Sequence, residues 1–324
     1  MSAIVAPRLT GRDYAAFVTG LFVDDDLAGD DAVRVVVVDS ADPALPEPGS
    51  LPFVVAALAE RFGDPGPEWA DLVVAEADVA DLEQRIESNP MACAALAVHM
   101  RAVVSLAVEA GLAAESAVYS TLQGGPEFAR WRERVPRRPS QDRDATVLVE
   151  REGDRLVVTL HRPHRHNAIS RRLRDDLVDA LRPAVADPTI TTVLLCGNGP
   201  SFSSGGDLDD FGERADPASA HLVRLTRSPA RLLERLGPRT TASIHGATLG
   251  GGLELAAFAR RVGARPGTLM GLPEIELGLI PGAGGTVSIT RRVGRQRTAA
   301  LGLTGRRIDV DTALRWGLVD VVLG

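Results

Sequence analysis

Gly250-Gly251-Gly252-Leu253-Glu254 and, twenty residues on, Leu272-Pro273-Glu274-Ile275-Glu276-Leu277-Gly278 are the stretches whose reading decides the fold. Three glycines at the mouth of an apolar helical run (Leu253, Leu255, Ala256, Ala257, Phe258) leave backbone N–H groups unshielded at the positive end of a helix dipole. Such groups can hold an oxygen that gains negative charge. Glu254 falls three residues after Gly251, on the same face of the first turn. With a second carboxylate brought in from another loop, the pair is equipped to move protons beside a polarised carbonyl.

Outward from this stretch the pattern alternates strands with helices. The β-rich runs 146–150 and 156–160 are joined through Glu152-Gly153-Asp154, which predicts a hairpin. Ser170 is placed to cap a helix whose apolar stripe is Leu173, Leu177 and Leu181, ending before Pro183 and Pro188. Short apolar strands are expected at 192–196 and 241–245. This order argues an α/β layer arrangement with a largely parallel sheet, its functional groups in loops after the strand ends. Before residue 146, the runs 33–39, 52–57 and 71–75 predict strands, and 79–134 turns helical. Residues 137–144 are polar and predict a linker.

The 324 residues are 45% hydrophobic, enough for one large domain or two modest ones. A net charge of −7 argues against a nucleic-acid partner, and no stretch is long enough to cross a membrane. No basic, apolar leader opens the chain. Cys93 and Cys196 are far apart in apolar runs and predict buried thiols in a reducing compartment, hence a cytoplasmic protein. All 36 basic residues are arginine, which removes Schiff-base chemistry and a lysine-dependent phosphate loop. His161, His164 and His166 cluster, but no Cys or carboxylate set completes a metal site, and none is expected.

Five further segments join these two stretches: Leu160-His161-Arg162-Pro163 leading to Asn167-Ala168, and Ser201-Phe202-Ser203-Ser204-Gly205-Gly206-Asp207-Leu208. Ile244-His245-Gly246-Ala247 runs into the triplet, and Ile280-Pro281-Gly282-Ala283-Gly284-Gly285-Thr286 follows Glu274. The last is Leu303-Thr304-Gly305-Arg306-Arg307-Ile308 with Gly317-Leu318-Val319. In this order and spacing, the segment 146–322 resembles the enoyl-CoA hydratase/isomerase (crotonase) superfamily.

The resemblance implies an α/β, (ββα)-repeat spiral core at 145–324. It implies that Gly206 and Gly251 donate backbone N–H groups to a thioester oxygen, and that Glu254 and Glu274 are a catalytic pair. It further implies an acyl-CoA substrate without a separate cofactor, and a homotrimer or hexamer. Arg162, His164, Arg165, Ser204 and Arg132 are the candidates for the CoA moiety. Asp207 is expected to cap a helix or tie down the oxyanion loop, and Glu276 to lie at a surface or interface. The chain stops where the family adds a helical tail, yet 80–138 is similar to that tail, with Asn89-Pro90, Gly111-Leu112, Glu115 and Trp131–Arg134. The expectation is a transplanted tail, preceded at 1–79 by a mixed α/β extension. Hydration of a 2-enoyl-CoA is the expected reaction. The alternatives are an enoyl-CoA isomerase, which works with the second glutamate alone, or a non-catalytic stabilising partner.

Overall fold

The computed structural model describes residues 7–20, 34–40, 42–138, 144–213 and 216–324, so the linker expected at 137–144 lies mostly outside the described residues. Strands β1 (Arg8–Thr10), β2 (Val35–Asp39), β3 (Val54–Ala59) and β4 (Leu72–Ala75) form a parallel sheet in that order, with helix α1 (Gly11–Gly20) after the first. The three strands expected before residue 146 are β2, β3 and β4, shifted by up to two residues. Their apolar runs are continuous because both faces are covered. Val35, Val37, Val54 and Ala56 turn to the main core, while Val36, Val38, Val55 and Ala57 pack with Tyr14 and Trp69.

Four helices follow: α2 (Val79–Ser88), α3 (Pro90–Val103), α4 (Val108–Gln123) and α5 (Pro126–Arg134). Arg101 of α3 holds them to the first sheet through Asp71 (Nε–Oδ1 2.8 Å) and the carbonyls of Leu51 and Phe53. The apolar side chains of α2 to α4, among them Leu82, Ile86, Leu96, Met100 and Leu112, enter the same core as residues 147–319. At ~1.5–3 kcal/mol per buried large aliphatic side chain, this docking is a major part of the fold's stability.

The second half carries β5 (Val147–Glu152) and β6 (Arg155–Leu160), an antiparallel hairpin turning at Gly153. Next come α6 (Arg171–Ala186), β7 (Thr192–Gly197), α7 (Pro217–Thr226), α8 (Pro229–Leu236), β8 (Thr240–Ile244), β9 (Ala247–Leu249) and α9 (Gly251–Ala256). β10 (Arg261–Ala264), β11 (Leu269–Gly271), α10 (Gly285–Val293), α11 (Arg295–Thr304), α12 (Val310–Trp316) and β12 (Val321–Val322) complete it. The six-stranded sheet runs β12-β10-β8-β7-β6-β5, parallel apart from the hairpin, and β9 pairs with β11 beside it. Ser170 Oγ accepts from Leu173 N (3.1 Å) as expected of the cap. The helix does not stop before Pro183 but continues to Ala186. Proline there forfeits only one backbone bond in the last turn, while Leu181 and Ala184 remain fully buried.

Candidate active site

The glycine triplet sits where β9 hands the chain to α9. Gly250 adopts a left-handed φ of 45°, and a Cβ there would lie 2.3 Å from Glu274 Oε1, so only glycine lets that carboxyl approach. Gly251 is the first residue of α9, where N–H groups have no intrahelical acceptor. Gly206 arrives from the loop after β7, which pairs with residue 169 and, through Ser203, with Thr248. Its amide nitrogen lies 4.0 Å from where a Cβ on Gly251 would stand. Among the described residues, neither amide has a protein acceptor. Two free donors therefore converge, the arrangement an oxyanion needs.

Gly206, Gly251, Glu254 and Glu274 all line one cavity of about 230 Å³. Apolar side chains surround it, including Leu112, Ile169, Phe211, Val223 and Leu255. Glu254 Oε2 accepts from Ala283 N (2.7 Å) and Gly285 N (2.8 Å) at the start of α10. Burial raises its pKa to about 7, with those two N–H groups pulling the other way. Glu274 stands in a 3-10 turn (Glu274–Leu277), and its buried Oε2 has no protein partner. Burial, and then the charge of Glu254, push its pKa well above the ordinary carboxylate range.

A third carboxyl joins them from the N-terminal helices. Glu115 of α4 accepts from Gly284 N (2.7 Å), Thr286 N (2.9 Å) and Thr286 Oγ1 (2.7 Å) and lines the same cavity. Burial and the neighbouring Glu254 raise its pKa to about 8. His99 Nε2 lies 2.9 Å from Thr286 Oγ1 and joins the same network. Burial lowers the His99 pKa to about 4, which keeps the ring neutral. Sequence reasoning took Glu115 only as part of a tail-like pattern. The signal available was a glutamate between Leu112 and Tyr119 on an apolar helix face, the same oddity that marked Glu254. Tyr119 and Arg224 also line the cavity and were not singled out.

The residues expected at CoA do not line the cavity. Arg162 is corrected outright. Its guanidinium is 2% exposed, bonds Asp207 Oδ2 (2.9 Å) and the Ala168 carbonyl, and so braces the Gly206 loop from within. Asp207 thus ties down that loop, as one of its two expected roles had it, also reaching Arg165 (3.2 Å). Arg165 is part-exposed and pairs with Asp209 as well. His164 is exposed, and Ser204 is half-buried with its N–H on the His166 carbonyl (2.9 Å). Arg132 donates to Leu208 O (2.7 Å) and stacks on Trp131, holding the loop that follows Asp207. Glu276 pairs with Arg85 of α2 (3.0 Å), an interface within the chain. His161 and His166 turn to Asn198 and Ser201 respectively. The N–H groups of Ala283, Gly284, Gly285 and Thr286 are taken by Glu254 and Glu115 in alternation.

Comparison with known proteins identifies the family. Residues 150–324 match the enoyl-CoA hydratase/isomerase family. The chain is 37% identical over 174 residues to the enoyl-CoA isomerase/hydratase fer4 of Mycosarcoma maydis, covering 51% of this chain and 64% of that protein. It is 35% identical over 176 residues to the 2,3-dehydroadipyl-CoA hydratase of Escherichia coli, covering 54% and 68%. Among solved structures, an enoyl-CoA hydratase from Thermoplasma volcanium superposes with a TM-score of 0.50 at 33% identity, covering 56% of this chain and 72% of that one. The chain therefore belongs to the enoyl-CoA hydratase/isomerase family. It spans about two thirds of the length of these relatives, and the family match begins at residue 150. Among the described residues, no helix is long and apolar enough to cross a membrane.

Proposed function

We propose that the protein hydrates a 2-enoyl-CoA thioester. The observation that carries this reading is the convergence of two unpartnered amides, Gly206 and Gly251, with two buried carboxyls, Glu254 and Glu274, on one cavity. The amides hold the thioester oxygen as an enolate develops, a contribution of ~3 kcal/mol per donor. Glu254, with its pKa brought near neutrality, takes the proton from a water that attacks C3. Glu274, its pKa raised by burial and by the charge of Glu254, supplies the proton to C2. Retention of both glutamates favours hydration over isomerisation, which needs only one. The Mycosarcoma maydis relative is an isomerase/hydratase, which keeps isomerisation as the second reading.

In this reading α2 to α5 serve as the helical cover of the site, Glu115 and Tyr119 closing it from the α4 side. Arg165, His164, Ser204 and Arg132 sit around the loop that carries Gly206 and remain the candidates for the CoA moiety. Purified protein mixed with crotonyl-CoA tests the reaction directly. Loss of the enoyl absorbance is the expected result, and a stable absorbance with formation of no isomer contradicts any catalytic role on short thioesters.

A further inference from the structure

Five arginines line the cavity, and four of them are paired with acids. Arg171 meets Glu213 (2.7 Å), Arg174 meets Asp175 (2.9 Å), Arg227 meets Asp175 (3.1 Å) and Arg231 meets Glu109 (2.9 Å). Arg224 of α7 is the exception: among the described residues, no carboxylate lies within ion-pair distance. Its guanidinium is held by neutral groups only. Nε donates to Ser116 Oγ (3.2 Å), Nη2 donates to Ser120 Oγ, and the Tyr119 ring centroid lies 4.5 Å from Cζ. Ser116 is itself fixed by His221 Nδ1 (2.8 Å). Nη1 has no protein acceptor among the described residues.

A half-buried guanidinium with no carboxylate in contact is costly to hold in place, and the fold keeps this one oriented by two serines and a stacked ring. The charge of Glu115 is felt at Arg224, but its oxygens are taken by Gly284 and Thr286 and make no ion pair with the guanidinium. The Tyr119 ring under Arg224 lies against Gly282, in the turn that holds Glu115 and Glu254, and Arg224 lines the same cavity as Glu254 and Glu274. Building on the hydratase reading, we infer that Arg224 is an anion subsite for the acyl group, and that the substrate class is enoyl-CoA whose acyl chain ends in a carboxylate. A planar carboxylate matches the donor edge of a guanidinium, and a methyl-ended chain leaves that edge unsatisfied.

Calorimetric binding of adipoyl-CoA and hexanoyl-CoA tests this independently of hydration, since neither saturated thioester can be hydrated. Wild-type protein is expected to bind adipoyl-CoA at least tenfold more tightly. Arg224→Met should erase that preference, and Arg224→Lys, which retains the charge, should keep part of it. Equal affinities in the wild type overturn the inference. So does an Arg224→Met variant that weakens both thioesters alike, which assigns the guanidinium to CoA or to the fold. Turnover of the two corresponding 2-enoyl thioesters separates the claims. A binding preference without turnover removes the hydratase reading and leaves the subsite, whereas turnover without preference does the reverse.

Discussion

The carboxyls of Glu115 and Glu254 alternate along four successive N–H groups: Ala283 and Gly285 donate to Glu254, Gly284 and Thr286 to Glu115. One helix N-terminus thus orients two acids from elements 139 residues apart in the chain (254 − 115). A Cβ at position 285 would lie 2.5 Å from Glu254 Cγ, so the close approach needs glycine there. The dipole and the four amides favour ionisation of both acids, while burial opposes it more strongly.

That balance fixes a pH dependence. Glu115 and Glu254 titrate near 8 and 7 when folded against a usual value of 4.5, so the folded state holds more protons across this window. Stability from these groups is complete below about 4.5 and falls as pH rises towards 8. His99 acts oppositely, but only between about 4 and 6.5. The clean interval is therefore pH 6.5 to 8. Thermal melts there should show Tm falling with pH in the wild type, and a shallower fall in Glu115→Gln. Identical slopes would contradict the assignment.

The proposed oxyanion site is tested by Gly251→Pro, which removes one N–H at a helix position that tolerates proline. Turnover of any CoA thioester should fall by ~100-fold or more while melting and circular dichroism still report a folded protein. Wild-type rates in a folded variant would leave the triplet a packing device only.

The N-terminal helices supply part of the cavity wall. Deleting residues 1–140 removes Leu112, Glu115 and Tyr119 and uncovers the apolar faces of α10 and α11. Gel filtration should show aggregation or loss of a defined species. A soluble and active fragment 145–324 would show that these helices are an independent appendage.

Much of this was legible locally. The Ser170 cap, the hairpin at Gly153, strands β2 to β4 and the Gly251–Glu254 turn are set by neighbours a few residues away, and local pattern finds them. Arg162 was misread because its partner Asp207 lies 45 residues on and turns a nominally exposed cation inward. Glu115 meets Thr286 across 171 residues, a contact that no periodicity encodes. Arg224 likewise gains its meaning only from α4, more than 100 residues earlier, where Ser116 and Ser120 hold it.

The most direct measurement is kcat for crotonyl-CoA hydration in Glu254→Gln and Glu274→Gln, with thioester affinity determined alongside. General acid–base groups act mainly in the transition state, so each variant should lose ~100-fold or more in kcat with nearly unchanged binding. If Glu254→Gln keeps the wild-type hydration rate while Glu274→Gln loses it, the two-glutamate hydratase account is contradicted and a single-glutamate isomerase takes its place.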